Sequence, residues 1–78
     1  MKKRTRDRHL KRLQTNVAAN IRAARARRRL SQEALAAAIG RERGCVHTIE
    51  SEKNMPTLET LYFMAIALDT TIGELTEA

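Results

Sequence analysis

The sequence predicts an all-α protein: one small domain of five helices joined by short turns. Three observations support this. Apolar residues recur at spacings of three and four along most of the chain, which is the period of a helix buried on one face. Alanine is abundant, while one proline and three glycines leave few interruptions. The 78 residues have room for a single small core.

The first predicted helix carries an apolar stripe at helical spacing. The stripe consists of Leu10, Leu13, Val17, Ile21 and Ala24. Asp7 can cap its start, since a short acceptor side chain satisfies a free amide of the first turn. We therefore expect this helix from about Arg8 to about Arg28, after a loose N-terminus.

The second predicted helix is short and has clear signals at both ends. Ser31 is a good N-cap, and Glu33 in the first turn suits the positive end of the helix dipole. Gly40 ends the helix, where a left-handed residue is favoured. The inward-facing residues are Leu35, Ala36 and Ile39.

The third helix is predicted from about Arg43 to Ser51, with Val46 and Ile49 on its buried side. Two helices cross steeply in contact only if the crossing residue is small and the turn accepts a positive φ. Ala36 and Gly40 meet these two needs, and Val46 fills the angle between the helices. One face of the third helix then points outward, at a size that enters a major groove.

The last two helices follow a loop at residues 53–56. Thr57 is the N-cap of the fourth helix, and Thr71 and Glu74 have the spacing of a capping box that starts the fifth. The inward residues predicted for these helices are Leu58, Leu61, Met64, Ala65, Leu68, Ile72 and Leu75.

Positive charge is concentrated at the N-terminus. The net charge is +6; residues 1–12 hold seven Lys and Arg against one Asp, whereas residues 13–78 are neutral overall. We divide the chain into a flexible basic arm, residues 1–7, and a domain, residues 8–78. A second basic cluster consists of Arg22, Arg25, Arg27, Arg28 and Arg29. Such clusters usually bind polyanions, and the alternative is a solvated tail that aids solubility.

Other classes of function find little support. Cys45 is the single cysteine, which excludes an internal disulfide and fits a reducing cytoplasm. Cys45, His47 and His9 do not make a metal site, since a structural zinc needs four ligands in close sets. No segment approaches the roughly 20 apolar residues that span a bilayer. Nothing in the chain argues for an enzyme, a cofactor or a membrane partner.

The second and third helices resemble a known family. An ordered set of residues is similar to the pattern of the Cro/C1-type (XRE-like) helix-turn-helix proteins. The set is Ser31-Gln32-Glu33-Ala34-Leu35-Ala36, then Gly40, Val46, Ile49-Glu50 and Pro56-Thr57-Leu58-Glu59-Thr60-Leu61. These are phage repressors, bacterial transcriptional regulators and antitoxins. The resemblance covers roughly Asn20 to Leu75. It implies a lambda-repressor-like domain with the helix-turn-helix at helices 2 and 3.

The resemblance also implies roles for individual residues. Gln32 matches a position that bonds a DNA phosphate and braces the reading helix. Lys53 and Asn54 match phosphate-contacting positions in the loop after that helix. The positions that meet base edges are Arg43, Gly44, His47 and Thr48. Arg43 is the best candidate for base readout, because a guanidinium can donate twice to guanine O6 and N7.

Arg25 and Glu50 match a paired Arg and Glu that ties helix 1 to helix 3 in the family. Such a pair orients more than it stabilises if it is partly buried, because desolvation offsets much of the attraction. Without the family, each residue reads as an ordinary surface charge.

Three residues depart from the family pattern. Glu42 stands where a Ser, Thr or Asp cap is usual, and Glu52 replaces a glycine after helix 3. Gly44 lies inside the reading helix, at a cost of about 1 kcal/mol against alanine. Glu52 puts a negative charge near where we expect phosphates to pass. Glu42 and Glu52 are therefore expected to weaken binding or to indicate an unusual operator.

Phe63 and Ile66 lie where the family more often has polar residues, and Tyr62 adjoins them. We expect a two-fold dimer through the fourth helix and the last helix, with these three residues in its interface. The alternative is a wider core that absorbs them because helix 1 is extended.

The leading prediction is sequence-specific binding of double-stranded DNA by a transcriptional regulator, a repressor acting as a homodimer. One alternative is a protein-interaction module, such as an antitoxin, that binds DNA but has a toxin or another protein as its main partner. Another is RNA or nonspecific nucleic-acid binding driven by the basic tail.

Overall fold

The computed structural model describes residues 1–78 and is all-helical, which confirms the predicted fold class and the number of helices. The helices are α1 Lys3–Arg27, α2 Gln32–Ala38, α3 Arg43–Glu50, α4 Leu58–Ala67 and α5 Ile72–Thr76. None of them combines the length and the apolar character that crossing a membrane requires.

The predicted start of the first helix is wrong. Helix α1 begins at Lys3 and runs for 25 residues across the predicted boundary at residue 7. Asp7 lies inside the helix, and no side chain caps the first turn. No glycine or proline interrupts residues 3–7, so the helix continues from its packed part through these residues. Leu10, predicted to be inward, is 50% exposed because α1 projects beyond the core there.

The core lies between α1, which packs against α3 and α5, and the helices α2 and α4, which pack against each other and against α3 and α5, respectively. Twelve buried apolar residues form it: Val17, Ile21, Ala24, Leu35, Ala36, Val46, Ile49, Leu61, Met64, Ala65, Leu68 and Leu75. Leu13, Ile39 and Ile72 are partly buried against this cluster. Leu58 is a second exception among the predicted inward residues, after Leu10. It is 72% exposed, because the first turn of α4 presents it to the outside.

Three of the predicted N-caps form. The hydroxyl oxygens of Ser31, Thr57 and Thr71 accept hydrogen bonds from the amides of residues 34, 60 and 74, at 3.0, 3.1 and 3.0 Å. Glu42 precedes α3 and makes no cap bond. The reading helix of the predicted helix-turn-helix therefore depends on packing for its stability, whereas the other short helices are also stabilised by an N-cap at their first turn.

Helices α1 to α4 all end in the same way, on a residue with positive φ. These residues are Arg29, Gly40, Glu52 and Asp69, with φ of 56°, 70°, 64° and 55°. The next amide in each case bonds back to a carbonyl five residues earlier, as from Arg41 to Ala36 at 2.8 Å. Only Gly40 adopts this left-handed conformation without steric cost.

Arg29 is the most favourable of these positions for a stabilising change. The left-handed conformation costs a residue with a side chain about 1–2 kcal/mol. Glycine avoids this cost, but its more flexible unfolded chain loses more entropy on folding, which offsets part of the gain. We expect Arg29→Gly to raise the free energy of unfolding by up to about 1 kcal/mol, measured by urea denaturation. Gly40→Ala is the control with the opposite sign. A destabilised Arg29→Gly variant would contradict this explanation of the helix ends.

Candidate nucleic-acid interface

The outward face of α3 is presented by the turn that joins it to α2. Val46 and Ile49 of α3 and Ala36 of α2 are buried and belong to the core. The opposite face of α3 carries Arg43 and His47, both exposed. The packing of the buried side chains of α3 thus determines which of its side chains point to the solvent.

Gly44 and Thr48 complete this outward face. A Cβ atom added at Gly44 would meet nothing within 4 Å, and its φ is not in the left-handed region. The fold therefore does not require glycine there, and its effect is to remove bulk from an exposed surface. Thr48 is half-buried, and its hydroxyl donates to the Cys45 carbonyl at 3.1 Å. The hydroxyl oxygen of Thr48 can still accept a hydrogen bond.

Glu50 is the centre of a hydrogen-bond network that joins α3 to α1 and α2. It is 5% exposed. Arg25 donates from Nε to Glu50 Oε2 at 2.8 Å and from Nη2 to Oε1 at 2.9 Å. Gln32 Nε2 donates to Oε1 at 3.1 Å. No buried side-chain nitrogen or oxygen in the chain is left without a partner.

Arg25 is held at both ends of its guanidinium. Besides the two bonds to Glu50, its Nη1 donates to the Leu30 carbonyl at 2.9 Å. The hydrogen bonds that Arg25 donates to Glu50 raise the pKa of Arg25 further above its already high value, with burial opposing them. A planar fork bound in this way sets direction as well as distance, so the pair orients α3 relative to α1.

Gln32 opens α2 and faces the same network. One amide hydrogen goes to Glu50, which leaves a second donor and the carbonyl oxygen of the side chain available. Ser31 has already satisfied the amide of Ala34. The position of Gln32 suits a residue that braces the reading helix and bonds an anion at once.

Lys53 and Asn54 lie exposed in the loop that leaves α3. Their backbone amides both donate to the Thr48 carbonyl, at 2.9 and 3.2 Å. These bonds hold the first part of the loop against the end of the reading helix. The two side chains are therefore placed by α3 itself.

Glu52 has partners within the chain, on α1. Its Oε1 accepts from Thr15 Oγ1 at 2.5 Å and lies 3.3 Å from Lys11 Nζ, so the carboxylate is directed at α1. The Thr15 bond, with Lys11 behind it, lowers the pKa of Glu52. The charge is partly neutralised within the chain. No local pattern foretells this contact, which spans 37 residues.

Two further contacts of α1 were missed by sequence reasoning. Arg22 donates to the Glu50 carbonyl, beside the Arg25 pair. Asn20 donates to the carbonyls of Leu75 and Glu77, at 3.0 and 2.8 Å. The sequence offered one signal for the Asn20 contact, namely a polar residue directly before the buried Ile21.

The outer face of α4 carries an exposed apolar patch. The patch consists of Leu58, Tyr62, Phe63 and Ile66. The rings of Tyr62 and Phe63 lie 5.7 Å apart, centre to centre. The extended α1 does not bury these residues, and Leu58 joins the three that sequence reasoning singled out.

Cys45 is a free, half-buried thiol packed against the core. No three His, Cys, Asp or Glu side chains come together in a way that would hold a metal ion. The buried carboxylate of this chain, Glu50, is used in hydrogen bonds that hold helices together.

Comparison with known proteins agrees with this geometry. The sequence model of a helix-turn-helix family matches residues 21–75. A crystal structure of a hypothetical transcription factor, NHTF from Neisseria, is similar, with 31% sequence identity and a TM-score of 0.80. The likeness covers 83% of this chain and 75% of that one. No match was found among curated proteins. The chain belongs to the Cro/C1-type helix-turn-helix family, whose members are DNA-binding transcriptional regulators.

Proposed function

We propose that this protein represses transcription by binding a specific sequence in double-stranded DNA, with α3 in the major groove. The observation that carries this is the outward face of α3, which is free of packing and oriented by the Glu50 network. A reading helix must meet base edges in one orientation to discriminate among them. Repression then requires only that the protein occupy its site.

Arg43 is the residue proposed to read a base. It is the first residue of α3, and the N-terminal part of a recognition helix contacts base edges. Its guanidinium can donate to guanine O6 and N7 together. Gly44 beside it lets the backbone approach the DNA closely. His47 and Thr48, one turn further on, contact a base edge or a phosphate.

Gln32, Lys53 and Asn54 are proposed to bind phosphates on either side of α3. Gln32 has an unused amide hydrogen at the start of α2, where backbone amides also favour an anion. Lys53 and Asn54 are exposed at the opposite end of the reading helix. Contacts on both sides fix the register of α3 in the groove, although they carry no sequence information themselves.

A second copy of the chain is proposed to cover the apolar patch on α4. Four exposed large apolar residues on so small a protein form a surface that association would bury. A two-fold dimer through this patch would present two α3 helices to half-sites about 34 Å apart, one turn of DNA. Cytoplasmic duplex DNA with inverted half-sites is the expected partner.

A protein-interaction module is the second candidate, and the same apolar patch favours it. In that case a different protein, such as a toxin, covers the patch while α3 binds DNA. The oligomeric state of the purified chain separates the two candidates, because only the first predicts a dimer without a partner.

Arg43→Ala and Lys53→Ala test the proposed roles as a matched pair, since each removes one positive charge. Arg43→Ala should weaken binding to the selected duplex by about 1–3 kcal/mol and relax specificity at one position per half-site. Lys53→Ala should weaken binding to all duplexes similarly and reduce the salt slope by about 1. Fluorescence anisotropy on selected and scrambled duplexes measures both. An Arg43→Ala variant with unchanged discrimination would contradict base readout by Arg43.

A further inference from the structure

The first turns of α1 are a charged surface that the helix-turn-helix does not explain. The family match begins at residue 21, whereas α1 begins at Lys3. Seven of the first twelve residues are Lys or Arg. Because these residues are helical, their charges stand in a defined order around an axis, which a flexible tail would not provide.

Two contacts show which side of α1 faces the end of the reading helix. Lys11 lies 3.3 Å from Glu52, and Arg22, eleven residues later, donates to the Glu50 carbonyl. Eleven residues are close to three helical turns, so both positions lie on one side. Arg8 and Arg4 precede Lys11 by three and seven residues and share that side. We call Arg4, Arg8 and Lys11 the basic ridge.

The basic ridge is exposed and lies next to the loop that leaves α3. Arg4 and Arg8 take part in none of the ion pairs of the chain. A shallow cavity between α1 and the loop places the two segments side by side and includes one carboxylate next to the ridge; its lining residues are Asp7, Leu10, Lys11, Gln14 and Met55. The ridge therefore continues the surface on which Lys53 and Asn54 lie.

We propose that the basic ridge binds DNA phosphates beyond those reached by the loop after α3. Arg4 and Lys11 are about 10 Å apart along the helix, an axial distance that holds about three phosphates of one strand. The rigid helix presents its charges without the ordering cost that a disordered arm would meet on binding. This inference rests on the proposed function, since it adds contacts to a protein already seated by α3.

Two double variants test it, and each removes two positive charges. Arg4→Gln with Arg8→Gln removes the outer part of the ridge; Lys3→Gln with Arg6→Gln removes charges outside it. We expect the ridge variant to lower the slope of log K against log salt by about 1.8. Raising the salt from 50 to 200 mM lowers the affinity of both proteins. The fold-loss should be about 12 times smaller for the ridge variant than for the unchanged protein. The control pair should change the slope little. Equal effects of the two pairs, or no effect of either, would overturn the proposal.

His9→Pro tests whether the helix itself matters. Proline at this position breaks the bonding of residues 3–8 to the rest of α1, while every Lys and Arg is kept. We expect a slope close to that of the ridge variant, with circular dichroism showing a shorter helix. An unchanged slope would show that a flexible tail suffices, and would contradict a rigid ridge.

The unchanged protein separates a failure of this inference from a failure of the proposed function. If it does not prefer its selected duplex over a scrambled one, the proposed function fails. If it does, and the ridge and control variants behave alike, only the basic ridge is wrong.

Discussion

Replacing Glu50 by alanine is expected to lower the free energy of unfolding by about 3 kcal/mol and to abolish specific DNA binding. Glu50 is 5% exposed and accepts three hydrogen bonds from Arg25 and Gln32. Removing one partner of a buried pair costs about 3–5 kcal/mol, because the other charge stays uncompensated. Arg25 is partly exposed, so the lower end applies. Denaturation by urea measures the stability, and anisotropy under native conditions measures the binding.

Glu52→Ala is the matched control for Glu50→Ala. It also removes a carboxylate with a cationic partner, Lys11, but this pair lies at the surface of the protein. Surface pairs contribute little, so we expect a much smaller loss of stability and specific DNA binding that is kept, with an affinity no lower than that of the unchanged protein. If the two variants unfold alike, the Glu50 network is not what holds α3 in place.

Phe63→Glu is expected to yield a folded monomer. Phe63 is exposed in the centre of the apolar patch on α4, so the substitution leaves the core intact. A charge buried at a two-fold interface meets its own copy, which disfavours association twice over. Loss of the dimer should weaken binding to a duplex with two half-sites by about 100-fold or more, since the second half-site no longer adds avidity.

Sedimentation equilibrium measures this effect directly. Ala19→Glu, which places the same charge on an exposed site of α1, should sediment as the unchanged protein does. A monomeric unchanged protein, or a Phe63→Glu variant that still dimerises, would contradict an interface on α4.

Much of the fold was predictable because its determinants are local. Ser31, Thr57 and Thr71 cap helices through the third residue that follows each of them, a range that sequence patterns capture. Gly40 adopts the positive φ that its place after α2 indicated. The apolar stripes at helical spacing supplied nearly all of the buried residues.

The parts that were not predicted depend on distant contacts or on exposure. The bond between Thr15 and Glu52 joins residues 37 apart, and that between Asn20 and Leu75 joins residues 55 apart. Leu58 fits the apolar period of α4 yet faces outward, because periodicity does not say where a neighbouring helix stops covering a face. Helix α1 begins five residues before the expected start, since a capping signal at Asp7 does not prevent a helix from continuing through it.

The residues that orient α3 could be predicted from the sequence, whereas the DNA contacts of its outward residues could not. The pairing of Arg25 with Glu50 follows from the family resemblance, and the structure supplies its distances and adds Gln32 and Arg22. The roles of Arg43, His47 and Thr48 depend on the DNA they meet, which the chain alone does not specify. These roles stay predictions.

Selection from a pool of random duplexes at near-physiological salt tests most directly whether α3 reads a sequence. We expect the unchanged protein to recover a motif with two inverted half-sites, their centres about one helical turn apart. With Arg43→Ala, the same motif should lose its preference at one position in each half-site. Recovery of no motif, with equal affinity for selected and random duplexes, would contradict sequence-specific recognition by this protein.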